Sequence, residues 1–203
     1  FLLGSIPFGQ IIVKYKGLGN VSEQGSGNIG ATNVARVAGK KLGALTFVFD
    51  FLKGFIPVTI YIFLRPEDHL AIAVCAGTCV AGHMFIPWVK FKGGKGVATA
   101  AGGLFIFSPL VGLLCLATHL TTIALTRVSA IASLVMVSFA PLWTWILIDS
   151  KNALITMLIG FLIIMKHAEN IGRILNKTEK KLGNQSGETE TDNPTAEESP
   201  RQT

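Results

Sequence analysis

The sequence predicts an all-α, polytopic membrane protein of about seven transmembrane helices, with polar, motif-bearing loops on its cytoplasmic side. Three observations predict it. Half of the 203 residues are apolar and only 15% are charged, against about 25% in ordinary soluble domains. The apolar residues fall in long runs and the mean hydropathy is +0.52, as expected of helices that lie in hydrocarbon. The basic residues sort to one side of those runs.

Seven apolar segments follow one another along the chain. The first, residues 1–15, is too short to cross about 30 Å of hydrocarbon as a helix. It also lacks the basic n-region and small-residue cleavage site of a signal peptide. Because the chain opens on Phe1, this segment reads as a first helix that has lost its beginning. The second (43–64), the third (70–88) and the sixth (VSAIASLVMVSFAPLWTWILI) have comfortable spanning length. The fourth, VATAAGGLFIFS, is short and reads as a half-length or tilted helix. The fifth, PLVGLLCLATHLTTIAL, opens on Pro109, which suits a first helical turn. The seventh is ALITMLIGFLIIM, 153–165. A count of six is the alternative.

Numbering the intervening loops sorts the charge. One side receives Lys14, Lys16, Arg36, Lys40 and Lys41, then Lys90, Lys92 and Lys95, then Arg127, then the basic residues from Lys166 to Lys181. The other receives only Arg65, with Glu67 and Asp68, and Lys151, with Asp149. The positive-inside rule puts the first side in the cytoplasm. The net charge of +6 therefore belongs to loops between apolar runs, which argues against a nucleic-acid partner. Cys75, Cys79 and Cys115 lie inside apolar runs, are odd in number and show no metal-ligand spacing, so they read as packing residues. Residues 182–203 are polar, acidic and free of aromatics and are expected to form a disordered tail.

Three stretches on the basic side carry chemistry. GSGNIGATNVARVAGKK, 25–41, combines glycines for tight turns with the hydrogen-bonding side chains of Ser26, Asn28, Thr32 and Asn33 and the fork-shaped cation of Arg36. Its ATNVARVAG portion suits a short helix whose N-terminal amides face an anion. GHMFIPWVKFKGGKG offers His83, Lys92, Gly93, Gly94, Lys95 and Gly96. Glycine amides here could form an anion-binding nest, with lysines adding charge. It is not a Walker A loop, because Gly96 rather than Ser or Thr follows the Gly-Lys pair. KHAENIGRILNKTE, 166–179, carries His167 and Asn170 near one helical face and an i, i+4 pair of Glu169 and Arg173, read as structural. Asp50 and Lys53 sit within the second segment at a spacing that lets them pair.

Such a site is rich in anion donors and poor in carboxylates. It lacks the clustered aspartates of a metal-dependent phosphotransferase and the His-x4-Asp signature of soluble-type acyltransferases. A transporter or binding protein for phosphorylated lipid precursors stays open on these grounds, although no internal repeat is visible.

GSGNIGATNVAR, GHMFIPWVKFKGGKGVAT and HAENIGRILNKTE together resemble, in order, the three motifs of the bacterial membrane-integral acyl-phosphate:glycerol-3-phosphate acyltransferases, the PlsY family. LLGSIPFG and DFLKGFIPV are also similar to family stretches, so the resemblance covers residues 1 to about 180. It departs where family members usually carry glycine, at Lys177, and often a basic residue, at Ala168. The resemblance implies an integral membrane acyltransferase domain over residues 1–181 in the bacterial inner membrane. Its substrates would be acyl phosphate and sn-glycerol 3-phosphate, its products lysophosphatidic acid and phosphate, with no cofactor and no metal. By resemblance, Ser26, Arg36, His167 and Asn170 are catalytic. Asn28, Thr32, Asn33, His83, Lys92, Gly93, Gly94, Lys95 and Gly96 are substrate-binding, the FKGGKG loop taking glycerol 3-phosphate. His167 or a substrate phosphate would remove the hydroxyl proton.

Overall fold

A computed structural model describes residues 1–89 and 92–182. Lys90, and all but the first residue of the expected tail at 182–203, lie outside the described residues. The described chain folds as nine α-helices: α1 (Phe8–Tyr15), α2 (Ala31–Ala38), α3 (Lys40–Leu64), α4 (His69–Met84), α5 (Val97–Phe107), α6 (Pro109–Thr126), α7 (Ser129–Leu147), α8 (Ser150–Lys166) and α9 (Ala168–Leu175). Each of the seven apolar segments contributes one of them. The short helices α2 and α9 come from the first and third polar stretches.

Local chemistry sets the helix starts. Asp68 accepts the Ala71 amide at the head of α4 (3.0 Å), and Asp149 accepts the Asn152 amide at the head of α8 (2.8 Å). Ser108 caps α6, with Pro109 in its first turn. Among the described residues, four helices, α3, α4 with its extension to Val89, α6 and α7, are long and apolar enough to cross a membrane. A fifth span results if α8 and α9, bent by 62°, count as one. The seven expected segments are thus all helical, while fewer have spanning length. The 11-residue α5 is about 16 Å long, half a bilayer.

Small residues bring the helices together. In lipid, helices associate through close packing rather than hydrophobic expulsion. A Cβ on Gly54 of α3 would overlap the Thr99 carbonyl of α5, and one on Gly102 of α5 would overlap the Phe51 carbonyl of α3. The short helix is therefore seated directly on the backbone of the long one. Val80, Met84, Val111, Cys115, Met136, Val137 and Ile163 pack where α4, α6, α7 and α8 meet. A second cluster, Val13, Val21, Ile29, Val34 and Ile86, underlies the loop between α1 and α2. Cys79 and Cys115 are buried packing residues, as expected, and Cys75 is partly buried. Large apolar side chains such as Phe63, Leu120, Trp145 and Phe161 cover the outside, the exterior a lipid-embedded bundle requires.

Candidate active site

A cleft of about 240 Å³ collects residues from all three polar stretches. Ser26, Asn28, Thr32, Asn33, Arg36, His83, Lys95, Gly96, His167 and Asn170 line it. Residues far apart in sequence meet because α2, the head of α5 and the α8–α9 bend occupy the same end of the bundle.

The first stretch is shaped by Asn33. Its side chain is buried, and its amide group donates to the carbonyls of Gln24 (2.9 Å) and Asn28 (2.8 Å). Its Oδ1 accepts the Ser26 amide at 2.8 Å. Gly25, at φ +63°, passes so close that a Cβ would overlap this same Oδ1, and only glycine adopts that backbone without strain. With its amide saturated by the loop, Asn33 holds Ser26 at the rim. The Asn28 side chain accepts the Gly30 amide (3.1 Å). Thr32 shares a hydrogen bond with Ser129 of α7 (3.3 Å). The N-terminus of α2 opens onto the cleft at Ala31 and Thr32, so their free amides face whatever binds there.

The second stretch divides. Lys95 and Gly96 line the cleft; Lys92, Gly93 and Gly94 do not. The Gly93 and Gly94 amides donate to the Met84 and His83 carbonyls at the end of α4, at 3.2 and 3.0 Å. These amides close the loop onto α4 instead of forming an open nest. Gly96 takes a left-handed conformation (φ +82°) to start α5.

In the third stretch, His167 sits in the bend past the end of α8. Its Nδ1 contacts the Ile163 carbonyl at 2.8 Å. A carbonyl only accepts, so Nδ1 carries the proton and Nε2 is left as an acceptor. Burial pushes the imidazole down to about 4, although the Ile163 hydrogen bond opposes this, so the ring is neutral near pH 7. Asn170 accepts from the Lys95 ammonium through Oδ1. Its Nδ2 donates to Glu179 at 2.7 Å. Glu179 also receives Arg173 Nε at 2.7 Å. The expected Glu169–Arg173 pair is present but looser, at 3.7 Å with Glu169 exposed.

The charges do not cancel. Asp50 is paired with Lys53 at 2.8 Å, and Glu179 with Arg173. Among the described residues, neither Arg36 nor Lys95 makes an ion pair. Burial lowers the Lys95 pKa to about 8, with nearby Glu179 opposing and the cations Arg173 and Arg36 reinforcing the shift. A bound anion would restore the charged form. The cleft therefore suits anions: Arg36, Lys95 and the exposed Lys180 line it without an ion pair among the described residues, beside a neutral imidazole and a helix N-terminus.

Sequence reasoning missed His119, Ser129, Ser133 and Glu179, which also line the cleft. His119 and the serines lie in apolar helical runs, where nothing in the sequence marks a polar face. Asp50 was visible as a charge inside an apolar segment.

A family model described as glycerol-3-phosphate acyltransferase matches residues 1–177. The glycerol-3-phosphate acyltransferase of Cereibacter sphaeroides is 39% identical over 191 residues, covering 94% of this chain and 90% of its own. That of Aquifex aeolicus is 42% identical over 183 residues, covering 90% and 95%. The crystal structure of PlsY (YgiH), an integral membrane glycerol 3-phosphate acyltransferase, in its glycerol 3-phosphate form superposes with a TM-score of 0.86 at 41% identity, over 90% of this chain and 92% of that one. Its lysophosphatidic acid form gives 0.82, over 90% and 91%.

Proposed function

The chain belongs to the glycerol-3-phosphate acyltransferase family, and we propose that the cleft transfers a fatty acyl group from acyl phosphate to the 1-hydroxyl of sn-glycerol 3-phosphate. The products are lysophosphatidic acid and inorganic phosphate. The observation that supports this most is the meeting of Arg36, Lys95 and a neutral His167, from three distant stretches, in one anion-receptive cleft.

Both substrates carry phosphate, and the unpaired Arg36 and Lys95 answer to them. Lys95 binds the glycerol 3-phosphate phosphate. Arg36, Ser26 and the N-terminal amides of α2 take the phosphate of the acyl donor. An acyl phosphate is a mixed anhydride and already activated, so orientation and charge stabilisation carry the reaction. The glycerol hydroxyl oxygen attacks the acyl carbonyl carbon. The carbon–oxygen bond to phosphate then breaks, and phosphate departs with the electron pair. His167 Nε2 accepts the hydroxyl's hydrogen bond and fixes its line of attack. A ring held near pKa 4 is a weak final base. The proton passes to the departing phosphate, a far stronger base than the ring once the carbon–oxygen bond breaks. Asn170 holds Lys95, and Asn33 holds the Ser26 loop.

The loops bearing these residues carry most of the lysine and arginine, so the cleft faces the cytoplasm of a multi-pass inner-membrane protein. The test is direct. Detergent-purified protein given palmitoyl phosphate and glycerol 3-phosphate is expected to release lysophosphatidic acid and phosphate in equal amounts. Binding of both without product would assign the cleft to transport instead. A Ser26→Cys variant labelled only from the periplasm would overturn the orientation.

A further inference from the structure

Asp50, Lys53 and His83 are three titratable side chains buried together where α3 meets α4, each no more than 5% exposed. A buried ion pair is weak evidence of stabilisation, because desolvation offsets most of the attraction. Its position suggests another use. The Lys53 ammonium is held by Asp50 Oδ1 at 2.8 Å and donates to the Ile6 carbonyl at 2.9 Å. The same Asp50 oxygen lies 3.6 Å from His83 Nδ1, which has no hydrogen-bond partner among the described residues. On the far side of the ring, His83 Nε2 abuts Gly94 so closely that a Cβ there would overlap it. The His83 backbone carbonyl meanwhile accepts the Gly94 amide at 3.0 Å. One residue thus grips Gly94 by both its ring and its backbone. The next residue is Lys95, whose ammonium enters the cleft.

We propose that Asp50 is a positioning residue for the glycerol 3-phosphate site, acting through the His83 ring to seat Gly94 and so place Lys95. Lys53 neutralises the carboxylate and anchors it to the Ile6 carbonyl. This rests on the assignment of Lys95 to the glycerol 3-phosphate phosphate. A positioning role of this kind changes substrate capture more than chemistry, since His167 and the acyl-donor contacts are untouched.

The experiment is a double-mutant cycle in steady-state acyl transfer, with Asp50→Asn, His83→Ala and their combination. Asp50→Asn and His83→Ala are each expected to raise the KM for glycerol 3-phosphate about fivefold or more, a coupling of roughly 1 kcal/mol, with kcat within about twofold. The double variant is expected to match His83→Ala alone. Because Asp50→Asn strands a buried lysine, Asp50→Asn/Lys53→Met keeps the interior neutral and is expected to show the same raised KM as Asp50→Asn. Gly94→Ala is expected to raise KM in the parent protein and to add little in the His83→Ala background, where the overlapping ring is gone. Multiplying KM effects in the cycle, an unchanged KM in Asp50→Asn/Lys53→Met, or a loss confined to kcat would overturn the proposal. A parent protein with no acyl transfer would instead overturn the functional reading on which it rests.

Discussion

His167 Nδ1 donates a 2.8 Å hydrogen bond to the carbonyl oxygen of Ile163, one turn back along α8. This bond selects the tautomer and leaves Nε2 facing the cleft as an acceptor. A glutamine at this position can reach the same carbonyl only by turning its amide away from the cleft. His167→Gln is expected to lower kcat by about 10²-fold or more while the thermal transition of the purified protein moves little. A kcat within threefold of the parent value would remove His167 from the reaction.

Lys95 makes the pH dependence predictable. Burial lowers its pKa from 10.5 to about 8. Between those values the folded protein binds fewer protons than the unfolded chain, so this group makes stability rise with pH across the window. Binding behaves in the opposite sense, because phosphate requires the charged form. The KM for glycerol 3-phosphate is expected to climb as pH rises above about 8. Lys95→Arg, which stays charged, should lose that alkaline limb even if its KM is higher throughout. A KM profile flat from pH 7 to 9 in the parent protein would contradict the assignment.

Glu179 bridges Asn170 Nδ2 and Arg173 Nε, both at 2.7 Å. A glutamine has one acceptor oxygen for two donors and no charge for Arg173. Glu179→Gln is expected to lower stability by about 1–3 kcal/mol and to lower kcat/KM as Asn170 releases Lys95. Thermal melting and initial rates measure the two effects. Full stability and activity would show that the bridge is dispensable.

The end of α9 predicts a stabilising substitution. The Thr178 amide returns to the Arg173 carbonyl (2.8 Å) and the Lys177 amide to the Ile174 carbonyl (3.0 Å), the paired bonds of a Schellman cap. Such a cap places its C′ residue in the left-handed region, and Lys177 is there with φ +59°. Lys177→Gly is expected to raise stability by about 0.5–1 kcal/mol, and Lys177→Val to lower it by at least as much. A lower melting temperature for Lys177→Gly would contradict the cap.

Hydropathy and charge order by themselves determined that this chain is a helical membrane protein, because both are local properties that each segment carries without reference to its neighbours. The boundaries of α6 at Pro109, the pairing of Asp50 with Lys53 and the short length of α5 were legible for the same reason. So were the three polar stretches, whose glycines, cations and amides are unusual beside apolar runs. Only the tertiary structure decided which atoms of those stretches face one another. Lys95 opens onto the cleft while Gly93 and Gly94 turn to α4, since their amides are taken by the His83 and Met84 carbonyls. His119, Ser129 and Ser133 join the lining because α6 and α7 present them there, an outcome of helix rotation that no local pattern records. The orientation of a helix about its own axis is set by contacts distant in sequence, such as Gly54 against Thr99 and Gly102 against Phe51.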